Sequence, residues 1–208
     1  MAPLYHAVEL LDRALSYTRV TLAEVTDADL SRPTPCEHWD LGQLLAHMED
    51  ALDAFAEGAE GEVDLDDRIP ARVRVGNLQR KACALLAAWS REAPETVRIG
   101  EYDLDTPVVV LAAALEITAH GWDVGAALGV DRPVPERLAQ GLLPVAQALV
   151  TDSDRGPQFG APRPMPADAP HGVRLLGFLG RDAHPRMGVT RSDGQINSNR
   201  STGDAAAS

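Results

Sequence analysis

The sequence predicts an all-α protein organised as a bundle of four long helices with shorter additions. Ala and Leu dominate the long segments, and aromatic residues make up only 4% of the 208 residues, a composition that favours helices over sheets. Apolar residues form 45% of the chain, enough for one sizeable hydrophobic core. Apolar positions also recur at steps of three and four, the spacing of a helix face that packs against other helices.

The first two helices are predicted at about 4–26 and from Asp40 to about Gly58. The first carries one continuous apolar stripe, formed by Leu4, Val8, Leu11, Leu15, Thr18, Leu22 and Val25. Two prolines within three residues predict an irregular connection after it. The second helix should begin with a capping box, in which the Asp40 carboxylate caps the first turn and Gln43 reaches back.

The middle of the chain predicts a surface loop, a third and a fourth helix, and an extended piece between them. Residues 58–70 are acidic and contain glycine, which is typical of a loop. The third helix should end near Trp89, and the segment 96–107 alternates loosely, as a strand does. Thr106 followed by Pro107 is a suitable helix start, so the fourth helix should span about 107–128 and stop at Gly129.

The last third of the chain changes in character. A fifth helix is predicted at about 136–151, with a kink at Pro144. Residues 152–171 hold five prolines and predict an ordered wrap without helical periodicity, followed by a short final helix at about 173–179. The predicted domain covers residues 1–184. Residues 185–208 have little to bury and are expected to form a disordered polar tail.

Charge and cysteine content limit the partners that the protein can have. The formal net charge is −12 and the isoelectric point is about 4.8, so the chain repels nucleic acids and anionic membranes. The N-terminal residues show no basic region followed by an apolar run, and no stretch approaches the roughly 20 apolar residues that span a bilayer. Cys36 and Cys83 form no CxxC pair, which fits reduced thiols. We expect a cytoplasmic protein that binds neither nucleic acid nor membranes.

The candidate chemistry lies in the fourth helix. Glu116 and His120 are four residues apart and share one helix face, with Asp123 about one turn further along. A buried carboxylate needs a metal, a basic side chain or an imidazole beside it. His47, near the core-facing edge of the second helix, would complete a three-ligand site that leaves coordination positions open. Spacing alone also fits a surface pair or a hydrogen-bonded couple without a metal.

Three motifs resemble one family. "RPTPCEHWDLGQLLAHM" at 32–48 and "LEITAHGWDVGAALG" at 115–129 resemble the two signatures of the actinobacterial mycothiol-dependent maleylpyruvate isomerase group, within the DinB-like metalloenzymes. "FGAPRPMPADAPHGVRLLGFLGRDAHP" at 159–185 is similar to the typical ending of that group. The resemblance covers about residues 4–185.

This resemblance implies a DinB-like four-helix bundle that binds a divalent metal through His47, Glu116 and His120. Zinc is the expected ion, with nickel or iron as alternatives. The remaining signature residues would support the site: Pro35, Cys36, Trp39, Trp122 and Asp123. Cys36 is expected to be a buried structural thiol, and Asp123 to orient a ligand. Full enzymes of the group carry an additional C-terminal α/β domain, so this chain resembles a single-domain member.

The resemblance also implies a low-molecular-weight thiol, mycothiol or a relative, as co-substrate. Coordination to zinc would hold the thiol as thiolate, which would add to a small electrophilic substrate for transfer or isomerisation. The open side of the bundle should donate hydrogen bonds to the thiol, with Arg74, Arg80, Arg155 and Arg163 as candidates. Three alternatives remain: a tailoring enzyme such as a cyclase, a non-catalytic metal-binding bundle closed by a fourth ligand such as His38, and a bundle without metal.

Overall fold

A computed structural model gives the fold, and it describes residues 2–36, 39–60, 71–90, 94–155 and 159–183. It contains six α-helices within these residues: α1 Ala2–Leu22, α2 Leu41–Glu60, α3 Ala71–Trp89, α4 Thr106–Leu128, α5 Glu136–Leu149 and α6 His171–Phe178. Most of the predicted 58–70 loop, His38 and the predicted tail at 185–208 lie outside the described residues. The all-α prediction is therefore confirmed, apart from a small hairpin.

The first two helices show which local signals set the boundaries. The capping box of α2 is formed as predicted: the Gln43 backbone N–H donates to Asp40 Oδ1 over 2.8 Å, and the Asp40 N–H donates to Gln43 Oε1 over 3.0 Å. Helix α1 ends at Leu22, four residues before the predicted end at 26. The amides of Glu24 and Val25 bond to carbonyls three residues back, which tightens and terminates the helix.

The extended piece between α3 and α4 folds into a hairpin. Strand β1 Thr96–Ile99 pairs antiparallel with β2 Tyr102–Asp105, and Gly100 adopts a φ of +60° at the turn. Helix α4 follows directly from β2 and stops, as predicted, where Gly129 takes the left-handed conformation. Helix α5 contains Pro144, and the kink there stays a prediction.

Helix α4 forms the centre of the core. Fifteen of its 23 residues are buried, and α1 packs along it. Among the described residues it is also the one helix long and apolar enough to cross a membrane by length and composition, contrary to the sequence expectation, but 78% of its most apolar window is buried inside the protein. This burial is the pattern of a core helix, whose apolar surface faces other helices rather than lipid.

The contact between α1 and α4 depends on Gly121. The Thr18 hydroxyl donates to the Ile117 carbonyl over 2.8 Å, and a Cβ added at Gly121 would lie 2.2 Å from Thr18 Oγ1. Gly121→Ala should therefore lower the free energy of unfolding by about 2 kcal/mol, because overpacking outweighs the gain in helix propensity. Urea unfolding measures this change.

Gly125→Ala is the matched control for this prediction. It lies one turn away in α4, and its added Cβ would meet Thr21 Cγ2 at an ordinary distance of 3.5 Å. This variant should be unchanged or slightly more stable than the native chain. Equal stability of the two variants would contradict the packing argument.

Candidate metal centre

The structure brings His47, Glu116 and His120 together. Glu116 and His120 lie one turn apart on α4, and His47 faces them from α2. Glu116 Oε1 lies 2.8 Å from His47 Nε2 and 2.9 Å from His120 Nε2. One donor atom from each of the three side chains falls within 4.8 Å of the other two. The predicted juxtaposition of these three side chains is therefore observed, and their role as metal ligands stays a prediction.

Opposite charges stabilise one another in this cluster. Burial raises the pKa of Glu116, but the facing imidazoles of His120 and His47 outweigh it and hold the pKa well below its usual range. Burial lowers the pKa of His120, whereas Glu116 and then Asp123 raise it well above its usual value. Two imidazoles and a carboxylate thus form a mixed nitrogen and oxygen donor set, and a metal would bind it by displacing the proton that His120 and Glu116 share.

A second layer orients His120. Asp123 Oδ2 lies 3.0 Å from His120 Nδ1, so a proton on Nδ1 points to Asp123 and Nε2 faces Glu116. Arg181 neutralises Asp123, because its Nε lies 2.9 Å from Oδ1 and its Nη2 lies 2.7 Å from Oδ2. Burial raises the pKa of Asp123, but Arg181 and His120 lower it to about 2. Asp123 therefore contacts His120 directly, and its role in orienting a metal ligand stays a prediction.

A tight turn after α6 directs Arg181 into the core. The Arg181 amide donates to the Leu176 carbonyl over 2.9 Å, and the Gly180 amide donates to the Gly177 carbonyl over 3.0 Å, the two bonds of a Schellman motif. Gly180 has a φ of +81°, and a Cβ there would lie 2.6 Å from the Gly160 backbone. A side chain at this position is excluded on both counts.

The connection between α1 and α2 supplies Cys36 and Trp39. The Cys36 thiol is buried, as predicted, and donates to Asp123 Oδ2 over 3.3 Å. The Trp39 ring packs at 4.7 Å from the His47 ring, measured between centroids. Of the other supporting residues, Trp122 is buried but lines a separate small cavity, and Pro35 is exposed. Cys36 and Trp39 therefore enclose the histidines on the side of this connection.

Two cavities reach the cluster. The larger, about 440 Å³, is lined by Trp39, His47, Phe55, Glu116, His120 and Phe159 among others. The smaller, about 210 Å³, lies between α1, α2, α3 and α4 and also ends on Glu116 and His120. Phe159 belongs to the proline-rich segment, which therefore forms part of the wall as the predicted wrap. The donor set is accordingly open to small molecules.

Two of the three donor-atom pairs lie close to the spacing of a zinc site. Two ligand atoms about 2.0–2.1 Å from a tetrahedral zinc ion lie about 3.3 Å apart, so shifts of a few tenths of an ångström would adapt the pairs at 2.8 and 2.9 Å. A second group, formed by Cys36, His120 and Asp123, is also compact enough to hold an ion. The Arg181 guanidinium already binds Asp123 there, and its positive charge disfavours a cation. The first group is the better candidate.

Sequence reasoning missed Arg181 and named other arginines. The four candidates line neither of the two cavities and bind other partners: Arg74 binds Glu49, Arg80 binds Asn77, Arg155 binds the carbonyls of Gly160 and Phe178, and Arg163 binds the Gly180 carbonyl and Asp182. A contact between any of these four arginines and a thiol stays a prediction. The signal for Arg181 was the buried Asp123, which needs a cation, together with the arginine in the final motif.

Comparisons with known proteins agree with this architecture. Uncharacterized proteins from Mycobacterium tuberculosis strains CDC 1551 / Oshkosh and ATCC 25618 are each 28% identical over 175 residues, which cover 81% of this chain and 94% of each relative. Crystal structures of the mycothiol-dependent maleylpyruvate isomerase and of a histidine-to-alanine mutant of it match with TM-scores of 0.52 and 0.55. They are 19% and 16% identical, with 67% of this chain and 68% of each structure covered. At this identity the structures show the DinB-like helical fold alone.

The sequence model of one family matches residues 11–125, which include α2, α3 and most of α4. Its description is "Mycothiol maleylpyruvate isomerase N-terminal domain". The matched residues carry His47, Glu116, His120 and Asp123, and they extend over more than half of the chain. The chain therefore belongs to the mycothiol maleylpyruvate isomerase N-terminal domain family.

Proposed function

We propose that the protein is a cytoplasmic, divalent-metal-dependent enzyme that uses a low-molecular-weight thiol for transfer to, or isomerisation of, a small electrophilic substrate. His47, Glu116 and His120 would hold the ion, with zinc the first choice and nickel or iron the alternatives. The observation that carries the proposal is the convergence of these side chains from two helices on a cavity of about 440 Å³. A resident ion of this kind would act as a Lewis acid and favour the thiolate form of a bound thiol.

The protein's own side chains would hold the site in shape. Asp123 fixes the His120 ring, and Arg181 keeps Asp123 ionised within the core. Trp39 packs against the His47 ring and limits its rotation. Phe55 and Phe159 line the cavity beside the donor set and would exclude water from the reacting carbon. The solved relatives are named as mycothiol-dependent isomerases, which supports mycothiol or a related thiol as co-substrate.

Three alternatives make distinct demands on the site. A non-catalytic metal-binding bundle needs a fourth protein ligand, and the adjoining cavity favours an open position instead. A bundle without metal would rely on the bonds from Glu116 to both imidazoles, and elemental analysis of the purified protein distinguishes it. The same cavity and donor set would also suit the activity of a cyclase or of another tailoring enzyme.

Cobalt substitution tests the thiol proposal. The protein is loaded with cobalt and titrated with mycothiol while the absorption spectrum is recorded. A thiolate-to-cobalt charge-transfer band should appear and saturate, because a thiol reaching an open position binds as thiolate. The matched control is the same molecule with an alcohol in place of the thiol, which should give no such band. Retained cobalt with no band from any thiol in a panel would contradict the proposal.

A further inference from the structure

The smaller cavity differs from the larger one in its lining. Its inner wall is formed by the apolar side chains of Leu15, Met48, Leu52, Leu78, Leu86 and Ile117. Polar lining residues such as Asp12, Arg19 and Gln79 are exposed and lie at its mouth. Thr18 also lines it, but its hydroxyl already donates to the Ile117 carbonyl. The interior therefore offers few polar partners and suits an apolar group.

Short side chains line this cavity, and ion pairs hold α3 to α2. The short side chains of Ser16 on α1, which is exposed, and of the half-buried Ala51 on α2 and Ala82 on α3 line it. Helix α3 is held to α2 by a half-buried to buried ion-pair network, in which Glu49 binds Arg74 over 2.9 Å and Lys81 over 3.1 Å. These ion pairs hold α3 against α2, whereas the contact of α3 with α1 is less extensive.

The cavity leads directly to the candidate metal centre. Ala51, Glu116 and His120 line both the smaller and the larger cavity. A molecule that extends through the smaller cavity therefore has one end at the donor set, while the larger cavity leaves room for a second molecule there. The volume of the smaller cavity, about 210 Å³, exceeds the roughly 150 Å³ of an apolar cavity that holds one benzene molecule.

We infer that this cavity binds an apolar alkyl or aryl group of the electrophilic substrate, with room for a benzene ring or a chain of about six carbons. This inference rests on the proposed function, because the cavity ends at the proposed metal ligands. The thiol then approaches from the larger cavity, and the two reactants meet at Glu116 and His120. The substrate class is an apolar-tailed electrophile rather than a small, fully polar acid.

Alkyl hydroxamates of increasing length test this assignment, because their head group binds zinc and their tail is variable. On zinc-loaded protein, each methylene added between acetohydroxamate and hexanohydroxamate should tighten binding about fourfold, the value for burying a methylene. In Ala82→Phe and in Ser16→Leu, which add bulk to the lining from α3 and from α1, the total gain should fall below about tenfold while acetohydroxamate binding changes little. Isothermal titration calorimetry measures each dissociation constant.

Ala84→Phe is the matched control, because Ala84 lies on α3 but is exposed and outside the cavity lining. It should keep the full dependence on chain length. Affinity that does not grow with length in the native protein, or a dependence that persists in both filled variants, would overturn the inference and leave the proposed function standing.

A metal-free measurement separates the two proposals. Benzene added to the metal-free protein should shift the methyl resonances of Leu78, Leu86 and Met48 saturably. Ala82→Phe should abolish the shifts, and Ala84→Phe should retain them. Failure of the protein to hold zinc, combined with these benzene shifts, would reject the proposed function and keep the cavity assignment. The absence of benzene shifts in the native protein would overturn the cavity assignment.

Discussion

Replacement of His47, Glu116 and His120 by alanine together should remove the divalent metal from the purified protein. The native chain should hold about one ion, and the triple variant close to none. Zinc sites with four ligands bind with about 10–16 kcal/mol, so each lost ligand costs about 3 kcal/mol, or more than a hundredfold in affinity. Inductively coupled plasma mass spectrometry on dialysed protein measures the metal content.

A second Glu and His pair provides the control for this result. Glu136 and His171 form a pair at the surface, with Nδ1 and Oε1 2.5 Å apart, and neither residue lines a cavity that reaches the cluster. Glu136→Ala with His171→Ala should keep the full metal content. Chelation should lower the melting temperature of the native chain and of this control, because a ligand bound only to the folded state stabilises it. Chelation should leave the melting temperature of the triple variant unchanged. Full metal content in the triple variant would disprove the assignment.

The elements that could be predicted are those with local causes. The capping box of Asp40 and Gln43 and the left-handed stop at Gly129 depend on residues within a few positions of one another, and both occur as expected. The pair of Glu116 and His120 follows from helical spacing in the same way. The end of α1 was placed too late, because the apolar stripe continues to Val25 after the helical hydrogen bonds have ended.

The parts that the sequence did not predict depend on strand pairing and on contacts between distant residues. The extended piece at 96–107 showed strand-like alternation, but its pairing as a hairpin depends on the turn at Gly100. Arg181 reaches Asp123 across 58 positions of sequence, and it does so because the turn at Gly180 packs closely on Gly160. Spacing within one helix contains no information about such a partner. Arg74, Arg80, Arg155 and Arg163 were therefore proposed only because a thiol ligand needs hydrogen-bond donors. The arginine that binds Asp123 lies in the final motif instead.

Arg181→Met should strongly destabilise the fold. Asp123 is completely buried and Arg181 is only 5% exposed, and the variant removes the permanent positive charge that faces the carboxylate, leaving the His120 imidazole beside it. Removing one partner of a buried ion pair costs about 3–5 kcal/mol, which for a chain of this size lowers the melting temperature by on the order of 10 °C. Differential scanning calorimetry and urea unfolding measure both quantities.

Two further variants separate the effect of breaking the ion pair from the effect of losing side-chain packing. Arg98 forms an exposed pair with Asp103 in the hairpin, so Arg98→Met should change stability by less than about 1 kcal/mol. Asp123→Asn combined with Arg181→Gln removes both charges, and it should cost less than the sum of the single substitutions, because no unpaired charge remains. Strict additivity would mean that the two side chains act independently and would contradict the ion-pair explanation.

Arg181→Met should also weaken metal binding, because Asp123 orients His120 only while Asp123 is ionised and fixed in place. Loss of a residue that orients a ligand typically reduces metal affinity 10- to 100-fold, so Arg181→Met should bind zinc less tightly by about that factor, measured by competition with a chromogenic chelator at a temperature where the variant is folded. Arg98→Met should retain the native affinity. Unchanged zinc affinity in folded Arg181→Met would restrict Arg181 to a structural role and separate the stability of the core from the arrangement of the donor set.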